Sequence, residues 1–223
     1  MLGVLGDLLP IAIGVTISPV PTTGGLLMIL SARSRWASLA YLLGWFAGVL
    51  VLTGAFTFLS GLIPSVKTNE RPEVGAAITI GIGLLLIGLG VFQWRRRPDN
   101  QSELELPGWM SRLDQFSPAR AFGLALTLAV VNPKNFLLAA SAGVMIRSSD
   151  LGFFTSSVSV AWFVAIGSAS IGIPTIGYQI SPNRLAGPIE ATRRIILRYT
   201  PATMAIIVML LGVIVVARGI RII

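Results

Sequence analysis

Lys134 is a cation in the middle of a long apolar stretch, between Pro133 and Asn135. A lysine at the centre of a bilayer costs about 2.5–3.5 kcal/mol on insertion scales, and such residues usually mark a functional site. None of the six long apolar stretches of the chain contains Asp or Glu that could neutralise the ammonium. These residues therefore predict a site for an anion, with carboxylate, phosphate and sulfate all admissible.

Two of the apolar stretches carry a capping residue followed by proline, Ser18-Pro19 and Asn132-Pro133. This order is typical of an N-cap and the first position of a helix. Each stretch is therefore predicted to break and restart near the bilayer midplane, where free N–H groups carry a partial positive charge. The predicted substrate-binding residues lie at and beside the restarts: Ser18, Pro19, Pro21, Thr22, Thr23, Asn132, Pro133, Lys134 and Asn135.

The alternative is that these prolines are only kinks, with their freed carbonyls satisfied by neighbouring helices and with Lys134 either snorkelling to the membrane surface or deprotonated. Replacement of Lys134 separates the two hypotheses. On the anion-site hypothesis, Lys134→Met is expected to preserve folding, because it removes a charge with no partner, and to abolish function.

The composition is that of a membrane protein. Apolar residues make up 54% of the 223 residues and charged residues 12%, and the mean hydropathy is +0.81. A spanning helix uses roughly 20 apolar residues, so the chain has enough for about six. The fold class is predicted to be all-α and integral to the membrane. The predicted spans are Ile11–Leu30, Leu39–Ile63, Val74–Trp94, Ala121–Ile146, Phe153–Ile180 and Pro201–Ala217.

The proline breaks of spans one and four indicate two inverted three-helix repeats, an arrangement typical of transporters. The predicted division is a first repeat at 1–94, a cytoplasmic linker with an interfacial helix at 95–120, and a second repeat at 121–223. Span five is expected to break at Pro174. Gly44 and Gly48 are expected to allow close helix packing rather than to line an acyl-chain site or a dimer interface.

Basic residues set the predicted orientation. Loops one, three and five hold eleven Arg, and the opposite side holds five Lys or Arg, which predicts an inner-membrane, multi-pass protein with both termini extracytoplasmic. The net charge of +8 is attributed to loops facing anionic headgroups and not to nucleic acid. Because the chain has neither Cys nor His, we expect no catalytic residue, no metal, no cofactor and no enzymatic activity.

Three stretches resemble the GAP family of glycolipid- or peptidoglycolipid-addressing proteins of mycobacteria and their relatives, which includes the sulfolipid-addressing protein. They are Ser18-Pro-Val-Pro21, Leu43-Gly-Trp-Phe-Ala-Gly48 and Val131-Asn-Pro-Lys-Asn135. The family looks like a branch of the LysE superfamily of six-helix exporters. The resemblance implies movement of a cell-envelope glycolipid toward the surface, beside a larger lipid exporter or a lipid-synthesis complex.

Together these features predict a transporter that exports or flips an anionic or polyhydroxylated glycolipid. Two alternatives stay open: export of a small anionic or zwitterionic metabolite, and a non-transporting accessory subunit of a larger lipid exporter. A pocket closed to lipid on all sides would favour the metabolite. A homodimer is also left open.

Overall fold

A computed structural model describes residues 2–30, 34–59, 72–95 and 116–220, and the regular structure of these residues is helical, without a strand. This confirms the predicted all-α class. Residues 96–115 of the predicted linker 95–120 lie outside the described residues, so the interfacial helix expected there stays a prediction. The helices are α1 Leu2–Thr16, α2 Pro19–Leu30, α3 Ser34–Leu59, α4 Pro72–Arg95, α5 Pro118–Val131, α6 Pro133–Ser148, α7 Phe153–Gly167, α8 Ala169–Ile180 and α9 Pro182–Ile220.

Among the described helices, α3 alone is long and apolar enough to cross a bilayer, over Arg35–Leu59. Three further candidates are pairs of helices that bend sharply at a short break: α1 with α2 by 62°, α5 with α6 by 71°, and α7 with α8 by 69°. Counting each pair as one span gives four spans by length and composition. In α4, Gly83–Phe92 is a shorter apolar segment. The count of six spans therefore stays a prediction.

The chain divides into two compact units, one of Met1–Ile63 with Leu106–Arg194 and one of Pro64–Glu105 with Ile195–Ile223. In the first unit α3 is the central helix, and it packs against α2, α5, α6, α7 and α8. Trp45, Tyr41 and Phe163 are the largest fully buried side chains there. The backbone breaks of the three bent pairs all belong to this unit.

Gly44 brings α3 into backbone contact with α5. A Cβ atom at this position would overlap the carbonyl oxygen of Phe122. A Cβ atom at Gly48, one turn further along α3, would lie 2.6 Å from the Cβ of Ala129. The prediction that these two glycines allow close helix packing is confirmed, because no larger side chain fits without separating the two helices.

In the second unit, α4 and the C-terminal part of α9 meet through two facing glycines. A Cβ atom on Gly83 would lie 2.8 Å from the carbonyl oxygen of Gly212, and one on Gly212 would lie 2.7 Å from the carbonyl oxygen of Gly83. The two backbones are therefore in direct contact, as small residues in apolar helices permit.

The prediction of a break at Pro174 is wrong. Pro174 lies inside α8, and the bend falls six residues earlier, at Ser168. The Ser168 N–H donates to the Val164 carbonyl (3.0 Å), and the Ser168 carbonyl accepts from the Gly172 N–H (2.8 Å), so this residue closes α7 and opens α8. Gly-Ser pairs are a known cause of helix kinks, and Gly167 precedes Ser168.

Candidate functional site

The first break frees backbone carbonyls at the end of α1. In a continuous helix the Ile17 carbonyl would accept from the residue four positions on, which is Pro21 and has no N–H. The Gly14 carbonyl would accept from the N–H of Ser18, but that N–H donates to the Thr16 carbonyl (2.9 Å). The break therefore leaves both carbonyls in need of another donor.

Lys134 supplies that donor. Its Nζ donates to the Gly14 carbonyl (2.7 Å) and to the Ile17 carbonyl (2.5 Å), and the residue is only 6% exposed. The C-terminus of α1 is the negative end of a helix dipole, which favours a cation. The prediction that the ammonium has no partner in the core is wrong, because carbonyls freed by the break take the place of a carboxylate. An ammonium has three donors, so one remains for a ligand.

The second break has the predicted order of cap and proline. Asn132 is the N-cap of α6: its Oδ1 accepts from the Lys134 N–H (3.1 Å), and its carbonyl accepts from the Phe136 N–H (2.9 Å). Pro133 is exposed at the first position of the helix, where a missing N–H has no cost. Local capping therefore fixes Lys134 in the first turn of α6, within reach of α1.

The N-termini of α2 and α6 meet, as the sequence predicts. Ser18 Oγ donates to Asn135 Oδ1 over 2.9 Å, and both residues are buried. Ser18 bonds to α6 through its side chain, and Pro21, the third residue of α2, has no N–H that could be capped by this hydroxyl. The hydroxyl is thus available for Asn135, whose Nδ2 has no hydrogen-bond partner among the described residues.

A third break, at Ser168, was not expected at this position. The carbonyls that end α7 are bonded from other helices: Thr16 Oγ1 donates to the Ile166 carbonyl (2.6 Å), and Trp45 Nε1 to the Gly167 carbonyl (3.4 Å). Side chains of α1 and α3 therefore stabilise the end of α7. The signal available in the sequence was the Gly167-Ser168 pair inside an apolar span.

The N-terminus of α8 is joined to that of α2, because Thr22 Oγ1 donates to Ser170 Oγ (3.2 Å). The neighbouring hydroxyls of Thr23 and Ser168 are buried without a partner in the described part of the chain. We call this set of linked and adjacent polar residues the polar centre. Its members are Ser18, Thr22, Thr23, Lys134, Asn135, Ser168 and Ser170.

The polar centre favours a ligand that accepts hydrogen bonds and carries negative charge. It contains one ammonium and the positive ends of three half-helices. None of the buried polar residues in the described ranges is acidic. Its unpaired groups are hydroxyls and an amide N–H₂, which donate to sulfate, phosphate, carboxylate or sugar oxygens alike.

Apolar helices that break and restart around a buried polar centre define an all-helical membrane protein. A family model described as Sap, sulfolipid-1-addressing protein, matches residues 8–221. The chain belongs to this family, which confirms the resemblance stated from its motifs. The curated proteins and the solved structures gave no match. Membership of the LysE superfamily stays a prediction.

Proposed function

We propose that this protein is an inner-membrane transporter that exports or flips a cell-envelope lipid with an anionic or polyhydroxylated headgroup. The family is described as sulfolipid-1-addressing, and the headgroup chemistry of a sulfolipid suits the polar centre. The observation that carries the proposal is the pairing of Lys134 with the broken end of α1, because it places a cation where two half-helix N-termini meet.

The proposed transport cycle uses the hydrogen bonds between the breaks as exchangeable contacts. Lys134 holds α1 to α6, and Ser18 holds the start of α2 to the same helix. An anionic headgroup that takes a bond from the ammonium competes with the Gly14 and Ile17 carbonyls. Binding would therefore loosen the contact between the two breaks, and differential affinity of this kind is what a ligand needs to shift a conformational equilibrium.

We further propose that the chain is built from two inverted three-helix repeats, with both termini extracytoplasmic. Supporting this, the helix pairs that open each half break immediately before proline and bend by similar angles, 62° and 71°. The two N-termini that meet at Ser18 and Asn135 would then enter the site from opposite leaflets, as in transporters with inverted repeats.

The surface of the first unit favours a lipid over a small metabolite as the substrate. An apolar groove of about 620 Å³ runs between α3 and α8, and its lining includes the exposed side chains Leu43, Ile173 and Ile180. A site for a water-soluble metabolite is expected to be enclosed by protein, whereas a lipid needs a path for its chains along the bundle surface. We propose no enzymatic step.

Reconstitution tests the proposal. The purified protein is placed in phosphatidylcholine vesicles with a fluorescent sulfated glycolipid, and the labelled fraction in each leaflet is followed by a membrane-impermeant quencher. We expect the protein to accelerate transfer between leaflets and Lys134→Gln to slow it by about tenfold or more, a change in barrier of about 1.4 kcal/mol. Folded protein that moves no lipid would indicate an accessory subunit, and transport of a small sulfate ester alone would indicate the metabolite exporter.

A further inference from the structure

The groove between α3 and α8, hereafter the α3/α8 groove, is lined by apolar side chains with one polar exception. Its walls include Leu42, Phe46, Gly172, Ile173 and Ile176. The exception is Ser168, which lies at the end of the groove where α7 stops and α8 begins. The volume of about 620 Å³ is in the range of specific small-molecule sites, roughly 300–1,000 Å³.

Ser168 presents a hydroxyl that the protein leaves unused. The residue is 4% exposed, and its Oγ has no hydrogen-bond partner among the described residues. Its backbone N–H and carbonyl are both bonded, to Val164 and to Gly172, so the hydroxyl is the group that lacks a partner. A buried hydroxyl without a partner is unfavourable, and a ligand that accepts a hydrogen bond there would satisfy it.

The α8 wall of the groove is long enough for one hydrocarbon chain. From Ser168 to Ile180 the wall formed by α8 rises about 18 Å at 1.5 Å per residue. One leaflet of a bilayer has a hydrocarbon thickness of about 15 Å, half of the roughly 30 Å core. A fatty acyl chain that extends through one leaflet would therefore run along most of this wall.

The polar end of the groove is continuous with the polar centre. Two residues beyond Ser168, Ser170 accepts a hydrogen bond from Thr22 at the start of α2. On the other side of Ser168, the carbonyl of Ile166 accepts a hydrogen bond from Thr16. Thr16 directly precedes Ile17, whose carbonyl binds Lys134. A lipid with its headgroup at the polar centre would thus have the beginning of its chain at Ser168.

We infer that the α3/α8 groove holds one fatty acyl chain of the transported lipid and that the Ser168 hydroxyl donates a hydrogen bond to the ester or amide carbonyl of that chain. This inference rests on the proposed lipid transport and names the part of the lipid that is recognised: an acyl group and not an alkyl ether. The occupant is the substrate lipid, and neither bulk phospholipid nor a second copy of the protein.

Photolabelling identifies the occupant. The full-length protein in phosphatidylcholine vesicles receives one of two probes with the same diazirine-bearing acyl chain, a sulfated glycolipid or phosphatidylcholine. We expect the glycolipid to label Phe46, Ile173 and Ile176 about fivefold more than phosphatidylcholine at equal mole fraction. Equal labelling by the two probes, or protein–protein crosslinks through the groove, would overturn the inference.

A filling substitution tests whether the groove is used. A Cβ atom at Gly172 would contact only Leu42, at an ordinary 3.6 Å, so the side chain of Gly172→Leu extends into the groove without displacing backbone. The matched control is Gly54→Leu on α3, where a Cβ atom meets nothing within 4 Å. We expect Gly172→Leu to lower glycolipid labelling and transfer by about tenfold and Gly54→Leu to leave both unchanged.

Ser168→Ala tests the hydrogen bond and does not depend on the filling variant. Since the hydroxyl has no hydrogen-bond partner among the described residues, we expect its removal to leave the fold intact. We expect about fivefold weaker binding of the acyl-ester glycolipid and unchanged binding of its ether analogue, which has no carbonyl. Equal weakening of both lipids would overturn the assignment. If the groove variants behave as wild type while Lys134→Gln still slows transfer, the groove inference fails and the transport proposal stands. If wild type moves no lipid, the transport proposal fails.

Discussion

The ammonium of Lys134 lies 2.5 Å from the carbonyl oxygen of Ile17, across the interface between α6 and α1. The bond exists because Pro21 has no N–H to give to that carbonyl. A proline in one half of the chain therefore creates the acceptor, and a lysine 117 residues away is the donor. The first and second breaks consequently form one structural unit.

Lys134→Met should destabilise the protein, contrary to the expectation from sequence that it preserves folding. The substitution leaves the Gly14 and Ile17 carbonyls buried without a donor, at about 1–3 kcal/mol for each such group. Lys134→Gln keeps an N–H donor and should lose less stability. Denaturant unfolding in micelles measures the free energy of unfolding of both variants. If Lys134→Met were more stable than wild type, burial of the charge would destabilise the fold by more than its two hydrogen bonds stabilise it.

A double-mutant cycle between Lys134 and Pro21 should reveal the coupling directly. In Pro21→Ala a new N–H becomes available to the Ile17 carbonyl, so the loss of the lysine should cost about 1 kcal/mol less in that background. The Pro21 carbonyl, which accepts from Tyr41 Oη, is preserved in the variant. The free energies of unfolding of the four proteins give the coupling energy. A coupling energy of zero would contradict the interpretation that Pro21 leaves the Ile17 carbonyl free for Lys134.

Part of this site could be predicted from sequence because proline and cap chemistry is local. Ser18-Pro19 and Asn132-Pro133 are both breaks, and the helix starts that follow them meet. The partners of Lys134 could not be predicted, because every residue has a carbonyl and only tertiary structure decides which ones are free. The bend at Ser168 was missed for a similar reason: no proline causes it, and donors on two other helices stabilise it.

Asn135→Asp should separate an anionic from a merely polyhydroxylated substrate. The new carboxylate keeps an acceptor for the Ser18 hydroxyl and adds a negative charge in the same helical turn as Lys134. Transfer of a sulfated glycolipid should fall by about tenfold or more, and that of its unsulfated analogue should change little. The same leaflet assay measures both lipids. Equal loss for the two would mean that charge does not select the substrate.

Thr16→Val should destabilise the third break. The substitution removes the donor to the Ile166 carbonyl while keeping the shape of the side chain, at a cost of about 1–2 kcal/mol. Thr127→Val is the matched control, because that exposed hydroxyl bonds to the Gly123 carbonyl of its own helix and its loss should cost about 0.5 kcal/mol or less. Hydrogen exchange should show faster opening at the end of α7 in Thr16→Val alone. Identical exchange in the two variants would contradict stabilisation of the break by α1.

Gly44→Ala should be among the most damaging small substitutions in the first unit. Its Cβ would overlap the Phe122 carbonyl oxygen, which is backbone and cannot rotate away, so α3 and α5 must separate. We expect a loss of about 2–3 kcal/mol from this overpacking. Gly54→Ala, on the same helix and with open space at its Cβ, should instead gain up to about 1 kcal/mol from helix propensity. Unfolding of both variants in micelles gives the comparison, and a neutral Gly44→Ala would mean that α3 and α5 are not in backbone contact.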